Sequence, residues 1–301
     1  MKRGVIIVLS LFFVLTIMSL VSANIFKDIG ELFSGTGKVP QQPQDVSVSV
    51  VGKKPVVVEV PTLSVMPVEG TFVSVIFTAN VSDDNGVNDI NDSSVTTLIG
   101  DGVTTRVGSC VWDQDITNKK ANYSCSIDMW YWDAPSALTT WALNVSATDK
   151  GNKTIITQGA LFNYGEVKSL TIAPSSISWT DINSEDTNQN ASNDPTIINN
   201  SGNYNGLVKV IGIDLKGETI DTEIIPAASF TVGPSSGTEC LATPLVNGSS
   251  ASIGSSNSNP GNLSAGGGIG QSQLYYCIPT VPLISSQTYS TLGGGSWTIL
   301  Y

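Results

Sequence analysis

Between residues 72 and 81 apolar and polar positions alternate, with Val73, Val75, Phe77, Ala79 and Val81 on one side and Asn80 on the other. Successive side chains of a β-strand point to opposite faces, so this period predicts a strand buried on one face only. Tyr123, Cys125, Ile127 and Met129 repeat the pattern within 123–132, as do Trp141, Leu143, Val145 and Ala147 within 141–147. Shorter runs at 46–50, 56–60, 96–99, 103–112 and 153–156 read the same way. Asp84-Asn85-Gly86, Asp101-Gly102 and Lys150-Gly151-Asn152 separate several of them with residues that tolerate a positive φ. No long stretch has the 3.6-residue period of an amphipathic helix. About seven short strands in roughly 120 residues predict a β-sandwich, here over 46–166.

A further set of candidate strands lies at 170–172, 177–179, 196–198, 207–215, 222–225, 230–232, 274–278, 288–289 and 297–300. It predicts another sandwich over 167–301, so the expected fold class is all-β with two tandem sandwiches. The last strand closes the sheet or lies at its edge, unless it is donated to a neighbouring molecule. Residues 247–270 are dominated by Gly, Ser and Asn and are expected to form a mobile Gly/Ser-rich loop.

Unbroken apolarity marks residues 5–21, behind Lys2 and Arg3 and interrupted only by Ser10, Thr16 and Ser19. Followed by the small residues Ser22 and Ala23, residues 1–23 read as a signal peptide cleaved after Ala23. An uncleaved anchor helix is one rival, since 17 residues is at the lower edge of a membrane-spanning helix. A pilin-type leader is another, because Lys2-Arg3-Gly4 resembles the charged-Gly junction of archaeal filament subunits. No acidic residue follows early in the apolar run, as such subunits usually require. Residues 24–45, with Pro40, Pro43 and three Gln, read as a linker. All three readings place the remainder outside the cytoplasm, with membrane contact through the N-terminal segment alone.

Composition narrows the chemistry. The chain has 301 residues, no His and a formal net charge of −11. Without histidine there is no Ser-His-Asp or Cys-His nucleophile and no His-ligated zinc, copper or iron. The acidic balance argues against nucleic acid and anionic lipid headgroups as partners. Four cysteines fall in two local pairs, Cys110 with Cys125 and Cys240 with Cys277. Of the three connectivities, only this one keeps each bridge inside one predicted domain. Neither spacing is CxxC, so structural disulfides of an oxidising compartment are expected. Nine Asn-x-Ser/Thr sequons occur, and Asn80, Asn122 and Asn144 fall on the polar side of predicted strands. Facing solvent, these three are the candidate glycosylation sites.

Residues 77–87 (FTANVSDDNGV) and 141–152 (WALNVSATDKGN) resemble parts of the immunoglobulin-like domains of bacterial and archaeal surface proteins. Residues 141–152 are similar to the closing strand in which an alternating apolar run ends in Ala-Thr-Asp before a Gly-Asn turn. The resemblance implies an immunoglobulin-like sandwich used as a spacer or adhesive module and brings no ligand with it. Residues 199–203 (NNSGN), followed by 207–211 (LVKVI), are similar to a segment of β-sandwiches in archaeal cell-envelope proteins. That likeness implies another sandwich and no functional residue.

Candidate sites are few. Clustered carboxylates and amides between Asp83 and Asp92 suit Ca²⁺, a hard cation that takes six to eight oxygens. Aligned on the D-x-[DN]-x-[DN]-G template, the loop has Val81 where the first Asp belongs, leaving Asp83, Asn85 and Asp89 as ligands. Asp149 and Asn152 join them if the two loops lie at one end of the sandwich. An Asn-Gly turn carrying solvated acids explains the same residues without a metal and is favoured by the departure from the template, so no cofactor is required. Trp130-Tyr131-Trp132 offers rings that stack on sugars, but alternation puts Tyr131 opposite the two Trp, so one side is core. The chain contains no Asp-Thr/Ser-Gly triplet and no Ser-x-x-Lys, and its Gly266–Gly270 run lacks the lysine of a phosphate loop. The expected function is that of a noncatalytic secreted or cell-surface structural or adhesion protein, with other cell-envelope proteins or surface polysaccharide as partners. A pilin-like filament subunit and an extracellular carbohydrate-binding or carbohydrate-active protein are the alternatives.

Overall fold

The alternating segments form strands. The computed structural model describes residues 47, 48 and 52–301, which are built of strands and five short 3₁₀ turns with no α-helix. The expected signal peptide at 1–23, the linker at 24–45 and most of the strand at 46–50 lie outside the described residues. Among the described residues no helix is long and apolar enough to cross a membrane.

Eight strands make up the first half: β1 (Val56–Glu59), β2 (Leu63–Val65), β3 (Phe72–Ser82) and β4 (Thr96–Gly100), then β5 (Thr105–Thr117), β6 (Lys120–Trp130), β7 (Trp141–Thr148) and β8 (Thr154–Tyr164). They form one sheet in the order β1-β3-β6-β5-β4-β7-β8-β2, antiparallel throughout except that β2 runs parallel to β8. Alternation sorts the side chains: Val75, Phe77, Ala79 and Val81 of β3 are buried, while Ile76 between them is 70% exposed. Their inward neighbours Tyr123, Cys125, Ile127, Met129, Trp141, Leu143, Val145, Phe162 and Tyr164 share one core. Each large apolar side chain so buried contributes on the order of 1.5–3 kcal/mol.

The 13-residue strand β5 makes a single sheet out of two layers. Its first part pairs with β4 (Thr105↔Gly100, Ser109↔Thr96) and its later part with β6 (Cys110↔Cys125, Thr117↔Lys120). Gly108 sits where β5 passes between them, and a Cβ there would lie 2.1 Å from Ser126 O and 2.8 Å from Thr97 Cγ2. Only glycine permits that approach. At the other end the chain splits between edges: β1 adds to β3 and, after Pro61, β2 adds to β8.

Strand β8 runs eight residues beyond the expected 153–156 segment, because Gly159 interrupts the alternation with a bulge opposite Leu143 and Val145.

The other half contains β9 (Leu170–Ala173), β10 (Thr187–Asn190), β11 (Thr196–Asn200) and β12 (Gly206–Ile211). Next come β13 (Leu215–Gly217), β14 (Ile224–Ile225), β15 (Thr231–Gly233) and β16 (Thr243–Pro244). The last are β17 (Ser250–Ser258), β18 (Gln271–Thr280), β19 (Tyr289–Ser290) and β20 (Thr298–Leu300). β18 is the hub of a six-stranded sheet, pairing with β10, β11 and β15; β12 carries β17 on one side and β20 on the other. Ile198, Leu274, Tyr276 and Val232 from the first of these sheets meet Val208, Val210 and Ile253 from the other in one core. Phe230 and Trp297 pack edge to face with centroids 5.0 Å apart, and the Trp297 indole N–H donates to Ile213 O at 2.9 Å. β20 is paired within its own chain, to β12.

The expected loop at 247–270 is in large part structured. Residues 250–258 form β17, with Ile253 and Ser258 fully buried, and Gly261 accepts a hydrogen bond from Tyr131. A ladder supplies main-chain hydrogen bonds whatever the side chains are, and one anchoring Ile suffices to seat a strand of small residues.

Residues 51–301 form one compact unit, and buried polar groups join its two cores. The Asn203 amide donates to Gly165 O at 2.8 Å and Asp133 O at 3.1 Å, while its oxygen accepts the Val167 N–H at 2.7 Å. The Tyr131 hydroxyl donates to Gly261 O at 3.1 Å and accepts the Leu263 N–H at 3.3 Å. Gly202 lies so close to this junction that a Cβ would stand 2.2 Å from Val167 O.

Candidate metal centre

The loop that follows β3 and the loop that follows β7 meet at one end of the first sheet. Ile90 bridges to Asp149, Asn91 N–H donates to Thr148 O at 2.9 Å, and Lys150 N–H donates to Asp89 O at 2.7 Å. These main-chain bonds bring Asp83 and Asp89 to Asp149, with one carboxylate oxygen of each within 4.8 Å of the others. Asp83 and Asp149 are 2% and 1% exposed, and Asp89 is half-buried.

The two buried acids are arranged alike. Asp83 Oδ1 accepts the Asn85 N–H at 2.7 Å, and Asp149 Oδ1 accepts the Lys153 N–H at 2.7 Å. Asp83 closes an Asx turn onto the residue two positions on, whereas Asp149 reaches the main chain four positions on, on the far side of the Lys150-Gly151 turn. The other oxygens, Asp83 Oδ2 and Asp149 Oδ2, are buried without a hydrogen-bond partner. Burial pushes the Asp83 carboxyl above its ordinary range; the Asn85 N–H opposes this, and the charges of Asp89, Asp149 and Asp84 add to it. Among the described residues no lysine or arginine pairs with any of the three. Lys53 and Lys119 reach Asp84 at 3.0 and 3.8 Å, and Lys150 Nζ donates to Asn88 O at 2.5 Å. Three unneutralised carboxylates with oxygens directed together form a hard-cation donor set.

The expected ligands are therefore only partly assembled. Asp83 and Asp89 are in the cluster, and Asp149 joins them from the other loop. Asn85 is exposed, with its amide oxygen accepting the Lys53 N–H at 3.1 Å, and Asn152 is exposed at a φ of 63°. The turn takes the Asn85 main chain for Asp83, which leaves its side chain to meet the segment at Gly52 and Lys53.

Other candidates fall differently. Cys110 and Cys125 are bonded, directly opposite on β5 and β6 with Cα atoms 4.0 Å apart, and Cys240 is bonded to Cys277. Cross-links of this kind persist in oxidising compartments. Asn80, Asn122 and Asn144 point away from the core but are half-buried rather than free in solvent. Asn80 and Asn122 are direct cross-strand partners, and their amide nitrogens donate to Glu59 and Asp113 at 2.9 and 3.0 Å. Asn144 Oδ1 accepts the Gly159 N–H at 3.0 Å. Tyr131 is buried at the junction, while the Trp130 and Trp132 rings stack on each other at 4.6 Å, which leaves less ring face for a sugar. A hollow of about 290 Å³ beside the acid cluster is lined by Asn88, Asp92, Trp112, Asp115 and Lys150 among others. Periodicity gave no sign of one further buried charge, Asp133, which is held by both Nε and Nη2 of Arg106 and by the Trp130 N–H at 2.8 Å.

Compared with known proteins, the chain matches no family model and no curated protein.

Proposed function

We propose that the chain is a noncatalytic structural or adhesive module exposed outside the cell, built of an immunoglobulin-like sandwich followed by another β-sandwich. The strand order supports the first part. β1-β3-β6-β5 followed by β4-β7-β8 reproduces the A-B-E-D and C-F-G sheets of that fold, with β5 serving as the link between layers.

The observation that carries the functional reading is the junction. Asn203 and Tyr131 spend buried hydrogen bonds on holding one core against the other, and each half carries one disulfide. A protein that transmits force or presents a surface needs such rigidity, whereas interdomain motion is the default where interfaces are small and wet. Its partners are other cell-envelope proteins or surface polysaccharide. Labelling intact native cells with a membrane-impermeant amine reagent tests this reading: the chain should be labelled without lysis, and protection until lysis would overturn it.

A saccharide-binding role is the alternative reading, favoured by Trp112, which is 47% exposed beside Asp92 and Asp115. Replacing Trp112 with Ala should then abolish retention on immobilised cell-envelope polysaccharide while leaving the melting temperature within a few degrees of wild type.

A further inference from the structure

We propose that Asp83, Asp89 and Asp149 bind one Ca²⁺ ion, which fastens the loop after β3 to the loop after β7. The inference is independent of the functional reading above, since it rests on the local geometry of the acid cluster.

Acidic clusters are common on protein surfaces, and most are solvated. This one differs in that Asp83 and Asp149 are almost wholly buried, and each keeps one oxygen without a hydrogen-bond partner. A buried carboxylate oxygen without a donor is costly, and two of them beside a third acid repel one another as well. Water could serve one orphan oxygen, but it would leave three negative charges uncompensated. Lys53 and Lys119 are engaged with Asp84 and Lys150 with Asn88 O, so among the described residues no cation pairs with the three acids.

The donor set selects the ion. It holds only carboxylate oxygens, which disfavours Zn²⁺ and copper, for which nitrogen and sulfur ligands compete best. Mg²⁺ demands near-ideal octahedral geometry and gives up its waters reluctantly. Ca²⁺ accepts six to eight oxygens in flexible geometry, and three carboxylates with waters satisfy it. The site also touches the segment that leads into the first strand. A Cβ on Gly52 would stand 2.9 Å from Asn85 Oδ1 and 3.4 Å from Asp89 Oδ2, so the loop that holds the ion also holds this segment.

Purified full-length chain stripped with EGTA and titrated with CaCl₂ by calorimetry should bind one Ca²⁺ per chain. At a concentration about one hundred times Kd its melting temperature should rise by roughly 5 °C. Asp83→Asn and Asp149→Asn should each abolish the heat of binding and the thermal shift. Without Ca²⁺ each variant should melt no lower than wild type, because a neutral amide replaces an uncompensated buried charge. Should either variant fail to fold, judged by its near-ultraviolet circular dichroism, the half-buried Asp89→Asn serves the same test. No heat and no thermal shift up to 10 mM Ca²⁺, on the order of the weakest extracellular sites, would overturn the proposal. So would a shift that survives the Asp83→Asn/Asp149→Asn double substitution, or an equal shift with MgCl₂.

Discussion

Backbone pairing in the first half runs through eight strands of one sheet, with ladders as long as the eleven registered pairs of β3 and β6. The other half divides its strands among smaller sheets, and β13, β14, β15, β16, β19 and β20 have only two or three residues each. Its backbone groups turn to side chains instead. Asp194 accepts the Tyr276 N–H at 2.9 Å, Asp214 the Ala227 N–H at 2.7 Å, and Gln287 the N–H groups of Thr219 and Ile220. Asn200 donates to Tyr204 O and Ser258 O. Buried main-chain groups have to be satisfied in either half, so where the ladder is short the duty passes to Asp, Asn and Gln. The contrast predicts that the first half depends on a few special positions in a robust ladder, and the other on many dispersed polar contacts.

The largest effect should come from the exception in the first half. Arg106→Met leaves Asp133 buried with its charge unpaired, and urea unfolding should show a loss of about 3–5 kcal/mol. An unchanged midpoint would mean that the ladder alone carries this end of β5.

Removing the disulfides separates the halves more directly. Cys240→Ser with Cys277→Ser releases a 37-residue loop and should cost about 4 kcal/mol on the chain-entropy model. Cys110→Ser with Cys125→Ser releases only 15 residues, already held opposite each other by the β5–β6 ladder, and should cost about 3 kcal/mol or less. Equal losses by denaturant titration would contradict the contrast.

Asn203→Ala strips Asp133 O and Gly165 O of a donor and Val167 N–H of its acceptor, for about 2–3 kcal/mol. Scanning calorimetry should resolve two transitions in the variant where wild type shows one; a single transition in both would show that other contacts couple the cores.

The smallest effect is the pH dependence that Asp194 gives the C-terminal half. Burial, with the charge of Glu239 adding to it against the N–H groups of Tyr276 and Ala191, raises the Asp194 carboxyl from 3.8 to about 6. A raised pKa means that the folded state holds its proton more tightly than the unfolded one. The associated stability is present in full below pH 3.8 and is lost as pH rises through 6. Relative to Asp194→Asn, wild type should lose about 1–2 kcal/mol between pH 4 and pH 7, after solvent screening. A constant difference across that range would place the carboxyl in an ordinary environment.

Alternation made the strands of the first half other than β2 readable in sequence, together with the inward faces of β3, β6 and β7, because a two-residue period maps onto the two faces of a sheet. It failed at Gly159, where a bulge shifts the phase and hides the later part of β8. Composition misled at 250–258, since Gly and Ser bring little apolar surface to bury but still pair in a ladder with β12. In the acid loop, spacing offered Asp83, Asn85 and Asp89 and left Asp149 conditional on the two loops meeting; the structure keeps the two Asp, adds Asp149 and turns the Asn85 side chain to Lys53. A linear template registers neighbours along one chain segment and cannot weigh Asp149, which lies 60 positions beyond Asp89.

The amino-acid order by itself determined the all-β class, the inward sides of β3, β6 and β7 and the local pairing of cysteines, all of which follow from interactions between near neighbours or from residue chemistry. Folding in three dimensions decided that β5 joins two layers into one sheet, that Asn203 and Tyr131 lock one core to the other, and that Asp149 lies against Asp83. Those depend on which loops and edges converge, and convergence is set by packing distant segments together. No local period encodes it.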